Sequence, residues 1–196
     1  MYQGRPARNA SPARHADASH AGWRSEAGGR RKPNRLNNYD YSQSGWYFVT
    51  ICVQNRECLF GQVENGRMIV NNYGRVAQQY WSEIPEHYEG VILDEFIVMP
   101  NHVHGIIVIA NVGDRHACPL QSDRPHQTLP IIIGSFKSAT TKQINQIRQT
   151  PSNPVWQRSF HDHIIRNEKS YWAIREYIRN NPANWTSDEE NPSNIN

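Results

Sequence analysis

The sequence predicts an α+β fold in which helices pack on a central antiparallel β-sheet. Residues 46–54, 91–99 and 102–110 are rich in aromatic and β-branched side chains, a composition typical of buried strands. Between residues 72 and 83, apolar side chains recur at spacings of three and four, the period of an amphipathic helix. Because strands and helices are interspersed, we expect one sheet that helices cover on one face.

Turn residues mark the elements in the first half of the chain. Cys58–Val63 and Arg67–Val70 flank Asn65-Gly66, a dipeptide that strongly favours a tight β-hairpin. The helix at 72–83 is expected to stop at Pro85. The strand after it is separated from the strand at 102–110 by Pro-Asn.

The second half of the chain is predicted to be mainly helical. A polar loop at 111–130 leads into a helix over 131–149. Residues 155–166 have a mixed pattern that fits a short strand or an ordered loop. The last helix is predicted over Ser170–Asn180, with Ser170 as its N-cap and Pro182 ending it.

Composition divides the 196 residues into three parts. Residues 1–40 form a basic tail with eight cations against three acids, a surplus of five in a chain whose net charge is only +3. Apolar residues are sparse there, so we expect disorder, either as a solvated tail or as an arm that helps to hold nucleic acid. Residues 41–186 make one folded domain. Residues 187–196 are polar and are expected to fray.

Several classes of protein are disfavoured. Cys52, Cys58 and Cys118 form no CxxC pair and are odd in number, so we expect no disulfide framework, no zinc ribbon and a cytoplasmic location. We also expect no secretory leader and no membrane partner, since no apolar run is long enough to span a bilayer. The pI of about 8.8 permits a phosphate-rich partner without demanding one.

The strongest candidate site is the segment MPNHVHG at 99–105. Strand residues alternate between faces, so His102 and His104 share one face while Val103 anchors the other. Two imidazoles side by side on a rigid strand can clamp a metal ion. Taken alone, the pattern fits ordinary core or surface histidines at least as well.

The second candidate is YIRNNP at 177–182. Ile174, Tyr177, Ile178 and Asn181 have the spacing of one helix face, so the tyrosine and the carboxamide lie with the apolar anchors that face the sheet. They can reach a site on the sheet surface. The alternative is that Tyr177 is a core residue and Asn181 a helix cap.

A rival His-x-His pattern occurs at His161-Asp162-His163. Its middle residue is acidic and lacks the apolar anchor that would lock a strand. We therefore expect His163, Asp162 or the nearby Arg166 to lie behind the metal ligands or to contact substrate, with a purely structural role as the alternative.

Together these segments resemble a known family. WYFVTICVQ at 46–54, MPNHVHG, WQRSFHDHIIRNE at 156–168 and YIRNNP occur in the order found in the REP-associated tyrosine transposases. These belong to the wider superfamily of single-tyrosine His-hydrophobic-His transposases. The resemblance covers about residues 40–186, which would be the catalytic domain, and only the combination of segments is specific.

The resemblance implies a fold and a set of site residues. It implies a central antiparallel sheet with helices, similar to ferredoxin-like and RNA-recognition-like folds. His102 and His104 match the paired metal ligands, Tyr177 matches the nucleophile, and Asn181 matches the third ligand, where relatives carry glutamine. The implied metal is Mg²⁺ or Mn²⁺, because the DNA phosphate is itself a hard ligand. The implied partner is single-stranded or hairpin DNA, and relatives act as monomers or homodimers.

The implied reaction is cleavage and rejoining of DNA through a 5′-phosphotyrosine. Cations and aromatic side chains in the second half of the chain are candidates to grip phosphates and stack on bases. They are Lys137, Lys142, Arg148, Arg158, Arg166, Lys169, Arg175, Arg179, Trp156, Phe160 and Trp172. Two other functions stay open: a domesticated protein that binds hairpin DNA without catalysis, and a metal-dependent nuclease that uses water.

Overall fold

The computed structural model describes residues 40–41, 43–110 and 128–194. All but the last residue of the predicted tail at 1–40 lie outside the described residues, as do 111–127 of the predicted polar loop. The described part of the chain forms β1 (Gly45–Cys52), β2 (Gly61–Glu64), β3 (Arg67–Val70), α1 (Asn72–Ser82), α2 (Ile84–His87), β4 (Val91–Val98), β5 (His102–Ile109), α3 (Leu129–Arg148), β6 (His161–Ile165) and α4 (Glu168–Asn180).

The central sheet has the strand order β4-β5-β1-β6, and every neighbouring pair is antiparallel. This confirms the predicted α+β class. The Asn65-Gly66 hairpin is also confirmed: both residues have positive φ, as the tight turn requires, and they join β2 to β3 in a separate two-stranded sheet.

Helices cover both faces of the sheet, so the expectation of one covered face is wrong. Neighbouring residues of β5 point to opposite faces. A Cβ at Gly105 would overlap the ring of Trp81 on α1, whereas His104 contacts Tyr177 on α4. One face therefore forms the main core with α1 and α3, and the other carries α4.

Helix boundaries differ from the predictions by a few residues for local reasons. The carboxamide of Asn167, rather than Ser170, caps α4 by accepting from the Ser170 amide at 2.9 Å. Pro85 does not stop a helix but lies in the first turn of α2, where its missing N–H costs nothing. The mixed stretch at 155–166 becomes β6, preceded by a bridge between Trp156 and Val53.

The segment at 185–194, which we name the C-terminal segment, is folded against the domain rather than frayed. It contains two short 3₁₀ turns, Trp185–Ser187 and Pro192–Asn194. Side-chain amides replace the missing apolar residues: Asn191 donates to the Trp185 carbonyl and Asn194 to the Thr186 and Asp188 carbonyls, each at 2.9 Å. Such side-chain-to-backbone bonds order a polar segment without an apolar core.

A candidate metal and nucleophile site

The histidine pair lies in the middle of the sheet, on the face that carries α4. His102 and His104 are fully buried, and their ring centroids are 4.3 Å apart. In the β1–β5 register, Thr50 lies opposite His104 and Cys52 opposite His102. The two imidazoles therefore lie on the same face of β5, as the two-residue period of a strand predicted, and they converge on one point.

His104 is held between β1 and α4. Its Nδ1 is 2.9 Å from Thr50 Oγ1, and its Nε2 is 3.2 Å from the Tyr177 hydroxyl. A neutral imidazole has one N–H and one lone pair. The hydroxyls of Thr50 and Tyr177 can each donate or accept, so the two contacts fit either tautomer; the tautomer that a metal ligand requires has the proton on Nδ1, donating to Thr50, and the Nε2 lone pair facing Tyr177.

His102 is oriented by its neighbour Asn101. The His102 Nδ1 lies 2.8 Å from Asn101 Oδ1, an acceptor, so this nitrogen carries the proton and Nε2 carries the lone pair. The Asn101 Nδ2 in turn donates to the carbonyls of Arg56 at 3.1 Å and Glu190 at 2.6 Å. Outer hydrogen bonds of this kind fix the ring of a metal-binding histidine.

α4 brings Tyr177 and Asn181 to the same site, as their four-residue spacing predicted. Tyr177 is 9% exposed and packs edge-on against Phe48 of β1, and Asn181 is 1% exposed. Asn181 Nδ2 donates to Asp188 Oδ2 at 2.9 Å. Its Oδ1 is buried and accepts no hydrogen bond from the described residues.

Asp188 is the site residue that the sequence prediction missed. One ligand atom each from His102, His104 and Asp188 lies within 4.8 Å of the other two, and all three residues are buried. Polar composition led us to expect fraying here. The signal that could have found it is the repeated Asp/Asn turn chemistry, because Asp188 Oδ1 accepts from the Glu190 amide at 2.7 Å and Asn191 Oδ1 from that of Ser193 at 3.0 Å.

These residues form a donor set that fits a divalent cation. It comprises two imidazole nitrogens and a carboxylate, and Asn181, which is bonded to that carboxylate, has a buried oxygen that accepts no hydrogen bond from the described residues. Burying a polar oxygen without a partner is costly, and a cation would compensate that cost. The mixture of imidazole and oxygen ligands suits Mn²⁺ and related ions, and the oxygens also suit Mg²⁺.

The C-terminal segment closes one side of this cluster. Arg56 forms an ion pair with Glu190 at 3.2 Å and donates to the Glu189 carbonyl at 3.3 Å. The Trp185 ring centroid lies 6.0 Å from that of His102. These contacts, with the Asn101 bond, fix the segment beside the histidines.

The rival histidine pattern is divided between the two faces of β6. Asp162 pairs with Val49 on the core face and accepts from the Tyr41 hydroxyl at 2.8 Å, so it points away from the metal ligands. His163 lies opposite Phe48 on the site face, and Arg166 is exposed just beyond β6. Burial, aided by the positive charge of Arg166, lowers the pKa of His163.

Three of the predicted DNA contacts are used inside the fold. Trp156 is 5% exposed, packs between Phe60 and Phe136, and donates to Thr140 at 2.9 Å, so it stacks on protein rather than on DNA. Phe160 belongs to the same core. Lys137 Nζ donates to the backbone carbonyls of Gln157 at 2.6 Å and Arg158 at 3.0 Å, which ties α3 to the chain before β6.

The remaining candidates are nearer the surface. Lys142 lies on α3, the helix that packs on the face away from Tyr177, and Arg158 is exposed before β6. Arg175 lies 3.3 Å from both Asp94 and Glu95, and Arg179 lies 2.7 Å from Glu95. The two α4 arginines therefore bind the helix to β4.

The sheet carries a pair of histidines that face a tyrosine on a helix, and comparison with known proteins finds this fold in a transposase. No family model matches the chain. A Haemophilus influenzae protein of uncharacterized function is 42% identical over 167 residues, which cover 81% of this chain and 92% of that protein. A second protein of that organism, provisionally named a REP-associated tyrosine transposase, is 26% identical over 76% of this chain and 77% of its own length.

A solved structure has the same fold. It is that of a REP-associated tyrosine transposase bound to a REP hairpin, with a TM-score of 0.50, 18% identity and coverage of 77% of this chain and 74% of its own. The chain is thus similar in sequence and in fold to proteins named as REP-associated tyrosine transposases. In the described residues, no helix has both the length and the apolar content to cross a membrane.

Proposed function

We propose that this chain cleaves and rejoins single-stranded or hairpin DNA through a covalent bond to Tyr177, with a divalent cation. The observation that carries the proposal is the 3.2 Å contact between the Tyr177 hydroxyl and His104 Nε2 within one chain. A nucleophile touching a metal-binding pair is the arrangement that a tyrosine transposase requires. The hairpin partner is supported by the relative whose structure contains a REP hairpin.

In the proposed cleavage, the Tyr177 oxygen forms a bond to a DNA phosphorus while the bond from that phosphorus to the 3′ oxygen breaks. The 3′ oxygen takes up a proton and leaves as a hydroxyl, and the 5′ phosphate stays on the tyrosine. The reverse reaction with another 3′ hydroxyl rejoins the strand, so no external energy source is needed.

Tyr177 must lose its proton for this step, and its ordinary pKa is about 10. His104 Nε2 is within reach of that proton. The nitrogen has one lone pair, which serves either the phenol proton or a cation. The hydrogen bond holds the phenol beside the point where the ligands converge.

His102, His104, Asn181 and Asp188 would hold the cation, which would polarise the scissile phosphate. The carboxylate of Asp188 and the oxygen of Asn181 supply the hard ligands that Mg²⁺ and Mn²⁺ prefer, and we propose one of these two ions. Asn101 and Thr50 keep the lone pairs of both imidazoles directed at it.

The test uses a labelled hairpin oligonucleotide with unpaired flanks, incubated with Mn²⁺ or Mg²⁺ and analysed on a denaturing gel. The wild type is expected to form a metal-dependent covalent adduct that Tyr177→Phe lacks. Tyr80→Phe on α1, on the opposite face, is the matched control and keeps the adduct. Binding without cleavage by any of these proteins, over a range of hairpins, would instead support the domesticated DNA-binding alternative.

A second candidate function is a nuclease that uses water as its nucleophile. Asp188 favours it, because a carboxylate beside two histidines is the ligand such an enzyme needs. In the same assay, a nuclease cleaves the DNA without forming an adduct, and its cleavage activity persists in Tyr177→Phe. We favour the tyrosine reaction because the phenol contacts the histidine directly.

A further inference from the structure

We propose that an exposed aromatic surface at the start of α4 stacks on unpaired bases of the DNA whose phosphate Tyr177 attacks. This surface, which we name the aromatic platform, consists of Trp46, Tyr171 and Trp172 with the guanidinium of Arg175. This inference rests on the proposed function, because the platform would bind the same DNA strand that Tyr177 attacks.

The platform is a continuous set of ring contacts. The Trp46 and Tyr171 rings meet edge to face with centroids 4.8 Å apart, and the Tyr171 and Trp172 centroids are 5.0 Å apart. Arg175 Cζ lies 5.5 Å from the Tyr171 centroid and 5.3 Å from the Trp172 centroid. Three rings and a planar cation therefore form one surface.

Much of this surface faces solvent. Trp46 is 41% exposed and Trp172 is 50% exposed, although tryptophan is usually well buried. Ile92, also exposed, lies in the same cross-strand row as Trp46, since both pair with Val108 of β5. A contiguous exposed apolar patch of this kind indicates a binding surface.

Polar contacts hold the platform in place before any ligand arrives. Asp94 and Glu95 each lie 3.3 Å from the Arg175 guanidinium, which in turn lies over the Tyr171 and Trp172 rings. Trp172 Nε1 donates to Glu168 Oε1 at 3.2 Å. A rigid stacking surface loses little conformational entropy on binding, which favours affinity.

Its position matches a strand of DNA that reaches the nucleophile. Tyr171 precedes Tyr177 by six residues of α4, which is about 9 Å along the helix axis. Trp46 lies on the same sheet face as Phe48, against which Tyr177 packs. A nucleotide chain held at Tyr177 can therefore place a neighbouring base on the platform.

The chemistry favours nucleobases over a second copy of the chain. Flat aromatic faces stack on any unpaired base, and cations next to them neutralise phosphates. Arg166, directly after β6, and Lys169, in the first turn of α4, are exposed cations close to Tyr171 and Trp172 along the chain. Duplex DNA keeps its bases stacked internally, so the platform selects unpaired nucleotides.

The test measures fluorescence anisotropy with two labelled probes, a hairpin with unpaired flanks and the same hairpin with its flanks paired to a complementary strand. Trp172→Leu is expected to weaken binding of the unpaired flanks by about 5- to 150-fold, the loss of one stacked base, and to leave the paired probe unchanged. Trp172→Phe retains a ring and keeps most of the affinity. An abasic site at the stacked position removes the difference between wild type and Trp172→Leu.

Ile131→Ala is the matched control, because Ile131 is an apolar side chain on α3 that is 46% exposed. This substitution is expected to leave the affinities for both probes unchanged. The platform would be contradicted if Trp172→Leu weakened the binding of both probes equally or of neither. It would also be contradicted if this substitution dissociated a dimer. The covalent adduct of the wild type is measured separately. If the wild type forms no adduct but its binding still depends on Trp172, the platform is supported and the proposed reaction is contradicted.

Discussion

At the scale of single residues, the site depends on a few buried polar atoms whose bonds leave little freedom. Asn101 and Thr50 each take the Nδ1 atom of one histidine, so both Nε2 atoms point to the cluster. Asn181 uses its amide hydrogens on Asp188 and keeps its oxygen for the cluster. Each bond decides which atom remains available for a cation.

Asp188→Asn is expected to weaken Mn²⁺ binding at least about 10-fold, since even partners behind the ligands cost that much when lost. The substitution keeps an oxygen that can accept from Asn181, so the fold should persist. Isothermal titration of the protein with Mn²⁺ alone measures the effect, and Glu189→Gln, an exposed neighbour, is the control. Unchanged affinity in Asp188→Asn would show that Asp188 is not a ligand.

His163 makes stability depend on pH. Burial lowers its pKa in the folded protein, so the unfolded chain binds the proton more readily. Its contribution is complete above the ordinary histidine pKa of about 6.5, and stability declines as pH falls below that value. His163→Asn should therefore flatten the fall in melting temperature between about pH 6.5 and pH 5. An unchanged slope would show that other groups set the acid sensitivity.

At the scale of elements, β5 must carry the histidines on one face and admit a helix closely on the other. Gly105 makes this possible because the Trp81 ring lies where a Cβ would be. On β4, the pairing with β5 shifts between Leu93 and Phe96. This irregularity lets the consecutive residues Asp94 and Glu95 both reach Arg175 of α4.

Gly105→Ala is expected to destabilise the fold by about 1–3 kcal/mol, because the new methyl group displaces the Trp81 ring in a packed core. Urea unfolding followed by tryptophan fluorescence measures the change. The matched control is Gly134→Ala in α3, where a Cβ meets nothing within 4 Å. There the substitution should stabilise by up to about 1 kcal/mol, from helix propensity alone. Equal effects of the two substitutions would contradict close packing at Gly105.

The sequence was informative where periodicity governs the structure. The strand period placed His102 and His104 together, and the helix period placed Tyr177 with Asn181. Trp156 and Lys137, which were predicted to contact DNA, make bonds within the fold that the sequence does not reveal, because it does not show which partner an aromatic ring or an ammonium group meets. Asp188 was missed because the polar composition of its segment predicted fraying, whereas the Asp/Asn turn bonds and the bond from Asn181 order it.

At the scale of the whole molecule, the sheet separates two tasks. One face builds the core with α1 and α3, and the other carries α4, the histidines and the C-terminal segment. The arginine–carboxylate contacts with β4 keep α4 on its own sheet. A single chain therefore contains both the tyrosine and the histidines that it contacts.

Mixing two variants tests this arrangement. Tyr177→Phe lacks the proposed nucleophile, and His104→Ala lacks a proposed metal ligand. Because Tyr177 contacts His104 of its own chain, the mixture is expected to form no more covalent adduct than either variant alone, in the denaturing-gel assay. Restored adduct in the mixture would show that α4 serves a partner's histidines, and the wild type diluted to the same concentration is the control.

The parts of the buried cluster are far apart along the chain, with the histidines in β5, Tyr177 and Asn181 at the end of α4, and Asp188 in the C-terminal segment. A ribosome makes them in that order. A growing chain therefore carries its histidine pair long before Tyr177, and it gains Asp188 after both. Translation stopped before residue 177 yields a chain that has the two histidines but lacks Tyr177, Asn181 and Asp188, so the buried cluster can assemble only after all three have been added.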